Sequence, residues 1–239
     1  MRLLFVGSSL ACAAFTLAVG ACSEEEAGNT NPPSFGDVDG SRVETAPEPN
    51  DAASAADDGI PRSPDGCVLK STGFKVGAKA ENVTRTSAPS AQAWTNPTGA
   101  RDIDQAFAQV TLNDGEESAE LRVSDFGLAV PESALTWGIE AELKRQAPQG
   151  GVEDGAIDIT VENQVTGPKK LVGPWPRTIV GTHVYGQAVD TWRVDLNPSD
   201  VNKPTFALRL WVKKMADAGA GPVNATVESL KVAIWYCPK

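Results

Sequence analysis

The chain has 239 residues, a formal net charge of -10 and a sequence pI near 4.7. An acidic chain without a basic stripe lacks the positive surface that holds phosphate groups, so we expect no nucleic-acid partner. The length allows one or two domains once targeting and linker segments are set aside.

The first 21 residues have the pattern of an export signal. Arg2 is followed by nineteen uncharged residues, and small side chains dominate the second half of that run. The run ends in Val19-Gly20-Ala21-Cys22. This ending resembles the bacterial lipobox, in which small residues precede a cysteine that receives diacylglycerol before cleavage. The resemblance implies a signal peptide over residues 1–21 and lipidation of Cys22.

Two alternatives to a lipobox stay open. The uncharged run approaches the roughly 20 residues that span a bilayer, so it could remain as a membrane anchor. Cys22 could also be an unmodified cysteine like Cys12, although only Cys22 follows two small residues and precedes an acidic stretch. We expect the lipid to hold the protein on a membrane of the bacterial cell envelope. Because Ser23 rather than an aspartate follows the cysteine, we expect the outer membrane.

Residues 22–66 form a predicted disordered, acidic tether. Eleven acidic residues lie in this stretch, against Arg42 and Arg62 as its bases. Such a chain buries too little apolar surface to order itself, and its own charge extends it. The acids could instead bind divalent cations or a partner, but their irregular spacing favours a solvating spacer.

Cys67 and Cys237 remain after the signal is removed and Cys22 is lipidated. In an oxidising compartment they are expected to form a disulfide that encloses nearly the whole domain over residues 67–239. A thiol redox pair is the alternative, but it lacks the Cys-x-x-Cys spacing.

Apolar and polar side chains alternate through the domain, which predicts β-strands with one buried face. The clearest alternation covers residues 137–144, 157–162, 206–212 and 230–236. Weaker strands are predicted at residues 106–112, 119–123, 127–130, 192–196 and 223–227. About eight or nine short antiparallel strands predict an all-β fold, a β-sandwich with jelly-roll topology.

A longer pattern covers most of the domain, from Trp94 to Tyr236. Its segments are Ala93-Trp94-Thr95-Asn96-Pro97, Phe126-Gly127-Leu128-Ala129-Val130-Pro131, Gly138-Ile139, Tyr185-Gly186 with Asp190 and Trp192, and residues 206–210. This order is similar to a β-sandwich module found in phage virion structural proteins and in secreted bacterial proteins. The resemblance implies a galactose-binding-like or jelly-roll fold used for structure or surface recognition, without a catalytic role. Departures from the module are Thr136-Trp137, Arg193 and Ala207.

Candidate metal and catalytic residues are sparse. Asp102 and Asp104 resemble the loop carboxylates that bind calcium in sandwiches, so calcium is the one cofactor that the sequence suggests. Glu140 and Glu142 share a strand face and could serve a glycosidase, but exposed strand carboxylates are usually only solvated. His183 is the single histidine, and without a Gly-x-Ser-x-Gly elbow it is expected to be a surface or loop residue.

Three tryptophans are the strongest candidates for a ligand platform. Trp211 and Trp235 lie opposite the aliphatic faces of their strands, and Trp175 lies between two prolines in a loop. Exposed aromatic rings of this kind stack on sugars or on partner proteins. The alternative is that the three rings pack beneath long loops or fill the outer face of a sheet.

These patterns favour a lipid-anchored, non-catalytic β-sandwich protein for recognition or adhesion at the cell surface or in the periplasm. A carbohydrate or an envelope protein is the expected partner. Two alternatives stay open, a carbohydrate-active enzyme that uses loop carboxylates and a purely structural envelope protein.

Overall fold

The computed structural model describes residues 59–101, 106–162, 164–170, 173–178 and 180–239 of the chain. The predicted signal peptide, the lipidation site Cys22 and most of the predicted tether therefore lie outside the described residues. The same holds for the two candidate calcium ligands, Asp102 and Asp104. All of these stay predictions.

The described residues form an all-β domain with two short helical turns. The strands are β1 (Lys70–Ser71), β2 (Lys75–Val76), β3 (Lys79–Val83), β4 (Ala108–Leu112), β5 (Glu120–Ser124), β6 (Leu135–Gln146), β7 (Val152–Val161), β8 (Gln164–Lys170), β9 (Gly181–Gln187), β10 (Ala207–Lys214) and β11 (Val223–Cys237). A 3-10 helix covers Pro97–Ala100, and the α-helix α1 covers Pro198–Val201. Within the described part of the chain, no helix is long and apolar enough to cross a membrane.

The long strand β11 is the centre of a six-stranded antiparallel sheet. One edge of β11 pairs with β6, which pairs in turn with β9. The opposite edge is covered in succession by β4 near Val223, by β2 near Lys231 and by β1 near Tyr236. The last strand of the chain thereby holds segments from the beginning and the middle of the domain.

The second sheet has five antiparallel strands in the order β3-β5-β10-β7-β8. Its central strand β10 places Arg209 opposite Arg122 of β5 on one side and opposite Asp158 of β7 on the other. A bulge interrupts the pairing of β10 with β7 at Trp211 and Val212. Because directly opposed side chains on one sheet face lie within contact distance, Arg209 stands in a row of charged groups.

The two sheets pack face to face over an aliphatic core. Alternation along β10 sends Leu208, Leu210 and Val212 into this core, while Ala207, Arg209 and Trp211 face outward. Further fully buried side chains come from both sheets: Leu121, Val123, Ile139, Leu143, Ile157, Ile159, Leu230, Val232 and Ile234. Burial of these groups is the main stabilising contribution to the fold. The predicted antiparallel β-sandwich is confirmed.

Two of the predicted strands are wrong. Residues 127–130 and 192–196 contain no strand, because left-handed backbone angles interrupt both stretches. In the first stretch Gly127 and Ala129 have φ values of 60° and 54°. In the second, Trp192 and Arg193 have φ values of 53° and 54°. An extended ladder requires negative φ, so neither segment can pair as a strand.

The strand number also differs from the prediction. The described residues contain eleven strands, because β1 and β2 are too short to show a pattern and β3, β8 and β9 lack clear apolar alternation. The predicted strands at 223–227 and 230–236 are one continuous strand, β11. Its register against β6 shifts between Val227 and Ser229, which explains why the alternation breaks there.

The predicted disulfide between Cys67 and Cys237 is confirmed. The two Cα atoms lie 6.1 Å apart and the bond encloses a sequence separation of 170 residues. The segment that leads into Cys67 folds back on the chain, because Leu69 N donates to the Pro61 carbonyl and Ser63 N donates to the Cys67 carbonyl. The disulfide therefore joins this N-terminal turn to the end of β11.

Candidate functional site

A polar groove lies on the outer face of the five-stranded sheet. Its volume is about 420 Å³, within the range of ligand-binding clefts, about 300 to 1,000 Å³. The floor comes from β5 and β10, one wall from the loop after β3, and another from β8. We call it the arginine groove, and its lining residues are Val83, Thr84, Arg85, Thr86, Ser87, Glu120, Arg122, Val165, Arg209 and Trp211.

Strand alternation explains why charged groups meet in the arginine groove. On β5, Leu121 and Val123 are fully buried in the core, so Glu120 and Arg122 must face outward. On β10, Arg209 and Trp211 face the same way for the same reason. Antiparallel pairing then places Arg209 directly opposite Arg122.

Arg209 is the centre of a charged network on the groove floor. Its Nη1 donates to Glu120 Oε1 at 2.6 Å and its Nη2 donates to Asp158 Oδ2 at 2.8 Å. Arg122 adds a longer contact, with its Nη2 3.8 Å from Glu120 Oε2. Asp158 is only 1% exposed. A carboxylate this buried needs a paired cation, and the network therefore fixes the position of both partners.

Part of the hydrogen-bonding capacity of this network is unused. Within the described part of the chain, Asp158 Oδ1, Thr160 Oγ1 and Arg209 Nε have no hydrogen-bond partner. Buried polar groups in proteins are normally paired with protein or with ordered water. These three atoms are buried beneath the groove, and neither Asp158 nor Thr160 lines it, so the unused capacity lies within the sheet rather than on the groove surface.

Arg85 covers Trp211. The guanidinium carbon of Arg85 lies 3.6 Å from the centre of the Trp211 ring, a cation–π contact. Nη1 of Arg85 also donates to Glu117 Oε2 at 2.7 Å. The indole packs against Gly155, where an added Cβ would lie 1.9 Å from ring atoms. Trp211 is therefore only 9% exposed, and its ring face is not open for stacking as the sequence suggested.

The other two predicted platform residues are elsewhere. Trp175 is 3% exposed, and its Nε1 donates to Asp154 Oδ1 at 2.8 Å, so the prediction of a surface ring at Trp175 is wrong. Trp235 is half-buried in the six-stranded sheet, opposite Gly138 of β6. The structure does not bring Trp175, Trp211 and Trp235 together, and they form no common platform.

Trp175 belongs to a buried polar cluster between the sheets. Arg145 donates from Nη1 to Asp154 Oδ1 at 2.6 Å and to Tyr185 Oη at 2.6 Å. Tyr185 in turn donates to Asp154 Oδ2 at 2.8 Å. The Asp154 carboxylate thus receives donors from three residues, and the cluster is closed upon itself. We interpret it as a structural network, in which the hydrogen bonds to Asp154 offset the cost of burying the Arg145–Asp154 ion pair.

Burial shifts the pKa values of the titratable side chains in and beside this cluster. Burial, together with the Asp154 charge, raises the pKa of Tyr185 well above its ordinary value, so the phenol stays protonated and can donate to Asp154. His183 packs edge-on against Tyr185 with ring centres 4.8 Å apart. Burial and then the Arg145 charge lower the pKa of His183, whereas Asp154 acts in the opposite direction. His183 is half-buried at the edge of this cluster rather than in the arginine groove.

The remaining candidate residues do not form a site. Glu142 pairs with Lys231 at 3.4 Å on the six-stranded sheet, away from the arginine groove. Among the residues that the structure describes, no group of three His, Cys, Asp or Glu side chains is placed to hold a metal ion. Calcium binding through Asp102 and Asp104 stays a prediction.

The residues that carry the family resemblance serve the fold. Trp192 Nε1 donates to the Ile139 carbonyl at 3.0 Å, and Asp190 Oδ1 accepts from the Trp192 backbone N–H at 2.8 Å. Gly186 permits this contact, because a Cβ there would lie 2.5 Å from Trp192 Nε1. Trp94 Nε1 likewise donates to a buried backbone carbonyl, that of Ala119. Each of these residues fixes a turn against a strand.

As site residues, the sequence interpretation missed Arg85, Glu120, Arg122 and Arg209. The polar positions of the predicted strand 119–123 could have pointed to an outward pair at Glu120 and Arg122. Their meeting with Arg209 depends on a pairing between strands far apart in sequence, which alternation does not reveal. Arg85 lies in a loop, where no periodic pattern exists.

No protein-family model matches the chain, and no curated protein matches it. Among solved structures, one titled "Sialidase" aligns with a TM-score of 0.29 and 12% sequence identity, over 54% of this chain and 15% of that chain. This chain thus corresponds to a small part of that protein's length. A likeness at this level carries no argument about fold or function.

Proposed function

We propose that this chain is a non-catalytic recognition protein of the bacterial envelope, held to a membrane through lipid at Cys22, and that it binds carbohydrate in the arginine groove. The observation that carries the proposal is the fixed array of Glu120, Arg209 and Asp158 beneath an open cavity of about 420 Å³.

Sugar hydroxyls both donate and accept hydrogen bonds, so a saccharide site needs donors and acceptors side by side. Arg122 and Arg209 supply donors, Glu120 supplies an acceptor, and Thr84 and Thr86 add hydroxyls along the wall. The Arg209 network already holds its members in place, so binding orders few side chains. Such preorganisation lowers the entropy cost of association.

The charged network favours binding over turnover. A glycosidase commonly uses one carboxylic acid as proton donor and a second carboxylate as base or nucleophile. Glu120 and Asp158 both accept hydrogen bonds from the same guanidinium, that of Arg209. This arrangement suits a positioning array, in which both carboxylates act as acceptors.

A glycan array probed with the full-length protein tests the proposal. We expect binding by the wild type and a loss of about tenfold or more in affinity for Glu120→Gln, which keeps the shape but removes the charged acceptor. Glu228→Gln is the matched control, because Glu228 pairs with Lys144 on the six-stranded sheet. Its affinity should equal that of the wild type.

Two results would contradict the proposal. Absence of binding to every glycan on the array would favour the structural role. Release of product from a bound glycan, lost in Glu120→Gln, would favour the enzyme. The anchor is tested separately by the intact mass of membrane-extracted protein, which should begin at an acylated Cys22.

A further inference from the structure

We infer that the carbohydrate is an uncharged chain of several sugar units, which extends from the arginine groove into a second cleft beside it. This inference rests on the proposed function, since it names the class of ligand for the same site and adds a second subsite. The position of the second cleft, the charges around both cavities and the exposed hydroxyl groups along their shared wall carry it.

The second cleft adjoins the arginine groove. It lies between residues 87–92 and 115–117 and has a volume of about 480 Å³. Ser87 lines both cavities. At their boundary, Arg85 of the groove donates to Glu117 of the second cleft at 2.7 Å. Each cavity alone has the size of a ligand-binding cleft, so a ligand that fills both must extend past this ion pair.

The wall that the two cavities share is fixed to the sheet. The Gln92 backbone N–H donates to the Glu117 carbonyl at 2.8 Å, and the Ala119 N–H donates to the Gln92 carbonyl at 2.7 Å. The Gln92 side chain also donates from Nε2 to Glu116 Oε1 at 3.0 Å. The loop over residues 84–92 is thus held in place before a ligand binds, which lowers the entropy cost of association.

The charges around the arginine groove are already balanced. Arg209 donates to Glu120 and Asp158, and Arg85 donates to Glu117. The three arginines that line the groove are therefore matched by three carboxylates. An anionic ligand would compete with these carboxylates for the same guanidinium groups, whereas an uncharged ligand leaves the ion pairs intact.

The second cleft is unfavourable for an anion. Glu116 and Glu117 line it, and among the residues that the structure describes no lysine or arginine does so. Glu116 accepts hydrogen bonds from Asn113 and Gln92, which are uncharged. A polyanionic chain that passed from the groove into the second cleft would bring its charges next to this carboxylate, where like charges repel.

Uncharged hydrogen-bonding groups continue from one cavity into the other. Thr84 and Thr86 line the groove, Ser90 lines the second cleft, and Ser87 lines both. All four residues are exposed. Each of their hydroxyl groups can donate and accept hydrogen bonds, as can each hydroxyl of a sugar. A single sugar unit would reach the hydroxyls of one cavity, and a chain of units would reach those of both.

The test varies the length of the ligand. Full-length protein is titrated by calorimetry with neutral cello-, xylo-, manno- and malto-oligosaccharides, from the disaccharide to the octasaccharide. In at least one series, affinity should rise about tenfold or more with length and then stay constant, because further units add no contact once both cavities are filled. The affinity should change less than about twofold with salt. A uronic-acid chain of equal length should bind no more tightly.

Ser90→Tyr isolates the second cleft. Ser90 is exposed and lines that cleft, so a large side chain there should fill it without disturbing the core. The affinity for the long oligosaccharide should fall to about that of the disaccharide, and the affinity for the disaccharide should stay within about twofold of the wild type. Glu120→Gln should instead weaken long and short chains about equally, because Glu120 lies on the groove floor.

Ser133→Tyr is the matched control. Ser133 is an exposed residue in the turn before β6, outside both cavities. Its affinity for every chain length should equal that of the wild type. Thermal unfolding of each variant confirms that the fold is intact.

The outcomes separate the two proposals. Affinity that does not depend on length, or a length dependence that survives Ser90→Tyr or is lost equally in Ser133→Tyr, would overturn the inference and leave carbohydrate recognition standing. Tighter binding of an acidic chain than of its neutral counterpart would do the same. Failure to bind any sugar of any length would overturn both proposals.

Discussion

The sulfur of Cys67 is bonded to that of Cys237, so the chain three residues before the start of β1 is fixed to the last residue of β11. β11 pairs with β6 along one edge and with β1, β2 and β4 along the other. A force that arrives from the N-terminal side of the domain therefore reaches the central strand directly, without first peeling away the short strands β1 and β2.

Removal of the disulfide should lower stability without changing the fold. The bond closes a loop of about 170 residues, for which the chain-entropy model gives about 5 kcal/mol. We expect the Cys67→Ser, Cys237→Ser double variant to lose about 2 to 5 kcal/mol of unfolding free energy in urea titrations. Wild-type protein unfolded in the presence of reductant should match it. A change below about 1 kcal/mol would mean that the unfolded chain is compact enough to make the bond unimportant.

Gly186→Ala should be strongly destabilising. The added Cβ would lie 2.1 Å from the Ile139 carbonyl oxygen and 2.5 Å from Trp192 Nε1, at a φ of +82°. Both the strained backbone and the broken Trp192–Ile139 hydrogen bond contribute, so we expect a loss of about 3 kcal/mol or more in unfolding free energy.

Gly219→Ala is the control for that substitution. Gly219 has a similar φ of +77°, and a Cβ there would meet nothing within 4 Å. It should cost only the backbone strain, about 1 to 2 kcal/mol. Equal losses in the two variants would show that the contact with Trp192 contributes little.

Sequence alternation predicted the faces of most strands but not the contacts between them. The alternation of Leu208 and Leu210 with Arg209 and Trp211 placed the latter two on the outer face, where the structure has them. That Arg85 would cover Trp211 follows from the course of a loop, which has no periodic signal. The sequence therefore predicted the outward strand face that forms the floor of the arginine groove, but it did not predict that a groove forms there.

The buried cluster shows a second limit. Ile157 and Ile159 face the core, so strict alternation along β7 would place Asp154 on the outer face. A bulge at Gly155 reverses this, because Trp211 pairs with Ala156 and Val212 with Asp154. Asp154 thereby enters the core, where it meets Arg145. A one-residue bulge thus buries an acid that regular alternation would leave on the surface, and Trp175, which is also buried, donates a hydrogen bond to it.

Loss of the Asp154 charge should be costly. Asp154→Asn would leave Arg145 buried without its counter-ion and weaken the acceptors for Trp175 and Tyr185. Removing one partner of a buried pair costs about 3 to 5 kcal/mol, and we expect a loss of that size by denaturant titration. Glu228→Gln breaks a partly exposed pair with Lys144 and should cost no more than about 1 kcal/mol. A smaller loss for Asp154→Asn than for Glu228→Gln would contradict the buried network.

His183 should make the domain less stable in mild acid. Burial and the neighbouring Arg145 charge lower its pKa in the folded protein below the ordinary value of 6.5. The unfolded chain therefore takes up the proton first as the pH falls. The stabilisation is complete above about pH 7, declines as the pH falls below the unfolded value of about 6.5, and stops declining once the folded histidine is also protonated. Urea titrations of the wild type and His183→Gln at pH 7.5 and 5.5 isolate this effect, because the carboxyl groups contribute equally to both proteins. The wild type should lose more stability than His183→Gln between the two pH values, and an equal or smaller loss would mean that the histidine is solvated in the folded state.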